Sequence, residues 1–263
     1  MSEENLTVMR TYKVIKSNDI IQKARFQLSV QEQKIILYLI SKIKPRDKDF
    51  KNNVFDIKDF CKICGIDIHN GKNYINLKET IKKLADKSIW VKSDDGNRET
   101  LYRWLSYAVI DKKSGEIQIQ FHELMKPFLL ELKSSFTQYE LLYILAMQSQ
   151  YGIRLYEILK SYEFKKEILF NLEELKERLM AKNYDIYNSF KRRVLEIAIR
   201  EINDFSDINV QYEPIKNAKK IEGIKFLISP KVDLDERLQT WKRIDDILNP
   251  DGESLIEKID GGN

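Results

Sequence analysis

The body of the chain is written twice. Ser29-Val30-Gln31-Glu32 carries a capping box, S-x-x-E, before the helical stripe Ile35, Ile36, Leu39, Ile40 and Ile43. Thr137-Gln138-Tyr139-Glu140 repeats it at an offset of 108 residues, before Leu141, Ile144 and Leu145. FDIKDFCKICGI at 55–66 returns as FNLEELKERLMA at 170–181, an offset of 115. Each begins with Phe, then an N-cap residue (Asp56, Asn171), then an acid at N3 (Asp59, Glu174), where the positive end of a helix dipole favours it. NYINLKETIKKLADKSIWV at 73–91 returns as YNSFKRRVLEIAIREINDFSDINV at 187–210, an offset of 113. Both place an apolar stripe on a helix: Leu77, Ile81, Leu84 and Ala85 in one, Phe190, Val194, Ile197 and Ala198 in the other. Both then enter β-type residues, Ile89-Trp90-Val91 and Ile208-Asn209-Val210.

Hairpin signals follow each copy. Asp94-Asp95-Gly96-Asn97 separates two strand-like runs, and Lys112-Lys113-Ser114-Gly115 leads into the alternating EIQIQF. In the second copy NVQYEPI and GIKFLI flank Lys216-Asn217-Ala218-Lys219-Lys220. Three helices and a β-hairpin, repeated, predict an α+β, helix-rich chain of tandem winged-helix domains. The expected division is 1–130, 131–231 and a tail at 232–263. Two copies at so long a period exclude a solenoid.

Charge narrows the partner. The net charge is +4, but residues 232–263 hold nine acids against four bases, a net −5, so residues 1–231 carry +9. A basic body with an acidic tail fits an anionic partner such as nucleic acid. No run approaches 18 consecutive apolar residues, and MSEENLTVMR lacks a signal peptide's basic start and apolar core, so a cytoplasmic protein is expected, without membrane contact. Cys61 and Cys64 form a single C-x-x-C with only His69 nearby, short of four zinc ligands; packed thiols, no metal and no cofactor are expected.

The helix at 188–205 holds the sharpest candidates. On a 100° wheel Phe190, Val194, Ile197, Ala198, Ile202 and Phe205 share an apolar side. Ser189, Arg192, Arg193, Glu196, Arg200 and Asn203 gather opposite, with Lys191 on the apolar flank, where its stem is expected to snorkel. The second helix of a helix-turn-helix enters the major groove by its N-terminal part. Arginine there suits a bidentate contact to guanine, and glutamate accepts from a cytosine amine. Cations in an opening turn oppose the helix dipole, so stability alone does not account for them; the plain alternative is a solvated face. On the first copy's helix Lys78, Lys82 and Lys83 are exposed and arginine is absent, which suits phosphate contact over base reading. Lys216, Lys219 and Lys220 are expected at a wing tip, against phosphates or a minor groove, or simply in solvent.

VIKSNDIIQKARFQLSVQEQKIILYLIS at 14–41, GIRLYEILKSY at 152–162 and NSFKRRVLEIAIREIN at 188–203 resemble the iteron-binding, theta-type plasmid replication initiators, the RepA/RepE-type family. The resemblance runs from about Val14 to Pro230. It implies two winged helices, the C-terminal one carrying the main major-groove helix, with Ser189, Arg192 and Arg193 matching in place and character. It implies binding to direct repeats of double-stranded origin DNA. It also implies a homodimer, formed through the first domain, that represses the initiator's own gene and gives way to monomers for initiation. Host replication proteins, helicase and initiator among them, are the expected further partners. The acidic tail departs from the family pattern.

Catalysis is not expected. His69 and His122 are far apart and form no H-x-H for a rolling-circle nuclease, and Asn70-Gly71-Lys72-Asn73 is not a phosphate-cradling P-loop. Two other readings compete: a dedicated repressor, whose two-fold symmetry favours an inverted repeat, and a protein adaptor with no salt-dependent DNA affinity.

Overall fold

The capping box at Ser29 forms as its spacing requires. The Glu32 N–H donates to Ser29 Oγ at 3.3 Å, and Glu32 Oε2 accepts the Ser29 N–H at 2.7 Å. In this computed structural model, which describes residues 12–44, 46–51, 53–64, 66, 73–218 and 220–248, the chain divides into two units between Leu141 and Leu142.

The first unit runs β1 (Lys13–Ser17), α1 (Asn18–Gln22), β2 (Ala24–Arg25), α2 (Val30–Ile40), β3 (Asn53–Asp56), α3 (Ile57–Cys64), α4 (Asn73–Ala85), β4 (Ser88–Lys92), β5 (Glu99–Arg103), β6 (Leu105–Asp111), β7 (Glu116–Phe121), α5 (Lys126–Leu129) and β8 (Phe136–Glu140). Helix α2 is its centre: Ile35 through Ile40 are all buried. Tyr38 of α2 meets Phe55 and Phe60 at 5.3 and 5.8 Å between ring centres. Leu77, Ile81 and Leu84 bury the expected stripe of α4. Both expected hairpins are present, β4–β5 and β6–β7, and Gly96 and Gly115 take φ of 70° and 74°, the left-handed turn conformation that glycine adopts without strain.

The second unit follows with α6 (Leu141–Ala146, which opens on the last residue of the first), α7 (Gln150–Lys160), β9 (Glu167–Asn171), α8 (Leu172–Arg178), a long helical run, then β10 (Ile208–Asn217), β11 (Lys220–Pro230) and α11 (Leu234–Leu248). The long run consists of α9 (Tyr187–Phe190), a π-helical segment Lys191–Leu195 and α10 (Glu196–Phe205). Strands pair in the order β10-β11-β9, with Phe170 of β9 against Phe226 of β11 at 6.1 Å.

Each unit therefore reads helix, strand, helix, helix, strand: α2-β3-α3-α4-β4, then α7-β9-α8-long helix-β10. The chain is α+β, with two winged helices. Asn171 caps α8 through the N–H groups of Glu173 and Glu174, and Asp56 accepts the Asp59 N–H at 3.0 Å. The units are not exact copies, because β9 pairs with the second strand of its hairpin whereas β3 pairs with β7, two strands further on.

Three expectations are corrected. Thr137-Gln138-Tyr139-Glu140 is not a capping box: it lies in β8, which pairs antiparallel with β1 from Lys13↔Glu140 to Ser17↔Phe136. The helix equivalent to α2 is α7, whose N-cap Ser149 accepts from Tyr151 and Gly152 N–H. That pairing also holds residues 136–140 to the first unit, so the division lies later than residue 130. Finally, the acidic segment from 232 is no bare tail. Its helix α11 buries Thr240 and Ile244, and the buried Lys231 ammonium donates to Thr240 Oγ1 at 2.9 Å and to the Asn203 carbonyl.

Cys61 and Cys64 are unbridged and buried in α3. Burial pushes the Cys61 thiol up to about 12 and holds Cys64 well above its ordinary range, so both remain protonated. His69 lies outside the described residues. No helix among the described residues is long and apolar enough to cross a membrane.

Candidate nucleic-acid interface

The C-terminal part of the long helix and the residues just past it are held by the two ends of α7. At one end the Glu201 carboxylate accepts the N–H groups of Gln148 and Ser149, each at 3.0 Å. The Ser149 N–H is one of the donors that the start of α7 leaves unsatisfied. At the other end Asp207 accepts from the Tyr156 hydroxyl at 2.8 Å and the Lys160 ammonium at 2.7 Å. A helix so fixed presents one face to its own unit and the rest to solvent.

The π segment alters which residues lie on each face. A wide i→i+5 turn inserts about one residue into the α-helical phase. The buried set is Phe190, Val194, Leu195, Ala198, Ile199 and Ile202, while Ile197 and Phe205, expected inside, are only half-buried. Arg192, Arg193, Glu196 and Arg200 are exposed, as expected; Ser189 is half-buried. The helix starts at Tyr187 on an N-cap residue, Ile186, that makes no side-chain cap. Lys191, Arg192 and Arg193 therefore sit in its second turn and not its first.

Pairing separates these side chains. Arg192, Arg193 and Arg200 have no acidic partner among the described residues, in contrast to Arg178, whose Nη2 lies 2.6 Å from Glu174 Oε1, and Arg243, 3.7 Å from Asp204. Lys191 faces Glu196 at 3.5 Å, so Glu196 is the one candidate on this face with an internal cation nearby. Asn203, placed on the outer face by the wheel, instead bonds the first wing strand. Its Nδ2 donates to the Val210 carbonyl at 3.0 Å and its Oδ1 accepts the Val210 N–H at 2.7 Å.

The wing is β10–β11, with a register shift between Ile215 and Lys216. Lys216 and Lys220 flank its turn and are exposed; Lys219 lies outside the described residues. Between wing and helix Tyr187, Asn188 and Lys191 face Tyr212, Lys216 and Lys220 across a groove of about 860 Å³. Lys191 thus lines a groove of mixed character, with Ile186 and Pro214 as well as polar residues on its walls. Tyr187, Asn188 and Tyr212 were not singled out from sequence; an aromatic at the first helical position and another at a strand centre usually mean packing. The structure brings the candidates of the second unit together on helix and wing. Lys78 and Lys82 are exposed on α4 of the first unit.

Comparison with known proteins decides the family. A model described as "Initiator Replication protein, WH1" matches residues 13–160, and one described as "Initiator Rep protein, WH2" matches residues 171–228. The chain belongs to the initiator replication protein family. Among its relatives are a "Replication initiation protein" of Escherichia coli, 24% identical over 237 residues, covering 86% of this chain and 71% of that protein. The "PI protein" of Escherichia coli is 25% identical over 238 residues, covering 76% of this chain and 77% of that one. The fold of this initiator is shared with the Pi initiator protein crystallised in complex with iteron DNA, at a TM-score of 0.67 and 23% identity, over 85% of this chain and 99% of that one.

Proposed function

We propose that this initiator binds double-stranded DNA sequence-specifically at the direct repeats of a plasmid replication origin and acts there without catalysis of its own. The observation that carries the reading is the set of three guanidiniums, Arg192, Arg193 and Arg200, exposed on the long helix beside a lysine-bearing wing and without an acidic partner among the described residues. A cation without a partner gains most from an anionic or acceptor-rich surface, and the forked donors of arginine match guanine O6 and N7. Ser189, Arg192, Arg193 and Glu196 read base edges; Lys191, Lys216, Lys219 and Lys220 hold backbone. In the first unit Lys78 and Lys82 contact phosphate, and that unit forms the homodimer that represses the initiator's own gene. Monomers load on the repeats, distort the origin by binding energy and recruit host helicase and initiator. Membership of the initiator family and the likeness to a relative crystallised on iteron DNA support this reading.

The test is selection of sites from random duplex DNA, followed by mobility shift of the winning site as a single copy, a direct repeat and an inverted repeat. Binding to an asymmetric single site, loading additively on direct repeats, is the expected result. A requirement for an inverted repeat favours a dedicated repressor, and no enrichment at moderate salt removes the DNA reading.

A further inference from the structure

The ribbon of β1 and β8 is packed on one face and only partly covered on the other. Val14, Thr137 and Tyr139 share the inner face and are buried. Ile15 and Gln138, directly opposed across the ribbon, and Phe136, two residues back on β8, share the outer face. A two-stranded ribbon is marginal by itself and depends on what packs against it. Here Ile40 and Ile43, at and just beyond the end of α2, and Leu129 of α5 approach the outer face without filling it. A cavity of about 180 Å³ remains between them.

The chemistry of this cavity is that of a small ligand site. With Leu132, six apolar side chains form its walls. Water that enters finds few partners, whereas an apolar cavity of about 150 Å³ takes up benzene. The polar groups stand at the rim, where Lys44, Glu131 and Gln138 are exposed. Lys44 and Glu131 oppose each other in charge, so the rim favours neither an anion nor a cation, while the Gln138 amide both donates and accepts. The loop that carries Leu132 is strained: Glu131 and Ser135 hold φ of 49° and 53°, left-handed values that side chains disfavour. The Ser135 carbonyl accepts the Asn18 N–H at 2.7 Å and ties that loop to α1. Strain of this kind collects at ligand sites.

We propose that this cavity binds a small neutral molecule, with an apolar body of about six to ten non-hydrogen atoms and one hydrogen-bonding group that meets Gln138. The bound molecule completes the outer layer of the ribbon and so stabilises the pairing of β1 with β8. None of the residues that line the cavity is assigned to DNA above.

The probe is indole, neutral and of suitable size, added to the full chain with its isoleucine methyl groups labelled for NMR. The signals of Ile15, Ile40 and Ile43 are expected to move together and saturate. The melting temperature should rise by about 3 °C near ten times the dissociation constant. Ile43→Phe and Leu132→Trp fill the gap from the helix side and from the loop, and each abolishes the response. If one of them lowers the melting temperature without indole, the other decides. Indole-3-acetate and tryptamine, which add a charge of either sign, should bind about tenfold more weakly, because that charge loses hydration at an apolar wall. Equal or tighter binding of either overturns the assignment to a neutral ligand. Methyl shifts that saturate elsewhere, or that survive in both filled variants, overturn the site. No shift at all overturns it too; filled variants that then sediment as a smaller species give the cavity to a side chain of a second copy.

Discussion

The carboxylate of Glu201 occupies the space that a side chain at Gly152 would need. Glu201 is buried on α10 and Gly152 lies in the first turn of α7. The absence of a Cβ at Gly152 lets the carboxylate reach two backbone N–H groups at 3.0 Å. This contact sets the rotation of the long helix about its own axis, and so the direction of the neighbouring Arg200.

Gly152→Ala displaces that carboxylate and leaves the Gln148 and Ser149 N–H groups without it. Its cost is expected at about 2–3 kcal/mol, since hydrogen bonds to a charged group contribute roughly 1.5–3 kcal/mol. The check is the urea midpoint at unchanged m-value. A midpoint equal to that of the unaltered chain means that Glu201 does not anchor the helix.

Arg192→Ala and Arg193→Ala each weaken binding to the selected site by about 1–3 kcal/mol and relax one base preference, because each bidentate contact discriminates by that amount. Binding to random duplex falls far less. Titrating both duplexes at one salt concentration decides it: equal losses on the two would assign these arginines to backbone.

Lys78→Ala and Lys82→Ala are expected to act differently. Each lowers affinity for cognate and random duplex alike and flattens the salt slope by about one. A changed base preference in either variant would contradict the division of labour between the units.

Lys42 links stability to pH. Burial pushes its ammonium down to about 8, although the Tyr12 and Tyr38 ring centres lie 4.1 and 4.8 Å away and offset part of the lost hydration. Between about 8 and the ordinary lysine value of 10.5 the unfolded chain binds more protons at this site, so stability contributed here rises with pH across that window. Lys42→Met removes the dependence. Its urea midpoint minus that of the unaltered chain should shrink from pH 7.5 to 9.5; a constant difference would mean that Lys42 titrates normally.

Ile244→Ala in α11 tests whether the acidic segment belongs to the second unit. The side chain is fully buried, and removing it should cost about 2–4 kcal/mol, the usual range for such a cavity. Thermal unfolding that leaves the melting temperature in place would return this segment to the status of a tail.

Much of this was legible in the sequence, for reasons that differ by element. Leu77, Ile81 and Leu84 fall at helical spacing and are inside; Gly96 and Gly115 mark turns that need positive φ. Periodicity on an ideal wheel fails where the phase itself changes, which is why Leu195 and Ile199 replaced Ile197 and Phe205 in the core. At Thr137 a motif with two uses was assigned the wrong one: T-x-x-E fits a helix start, but Thr137 and Tyr139 alternate inward as in a strand. Asn203 and Lys191 carried no local sign of Val210 and the groove, because those partners come from the wing. In the acidic segment the charge sum hid the buried side of its helix, Thr240 and Ile244, four residues apart.

The ribbon of β1 and β8 has a consequence for how the first unit is made. Its two strands are separated by more than a hundred residues, yet five consecutive pairs join them, and the Thr137 hydroxyl donates to Asn18 Oδ1 at 2.6 Å. At synthesis rates of about 5–20 residues per second, β1 leaves the ribosome on the order of ten seconds before its partner exists. For that interval the strand has an open edge, the feature on which nascent chains stick to one another. The helices of this unit form from local contacts, but its closure waits for translation to reach Glu140.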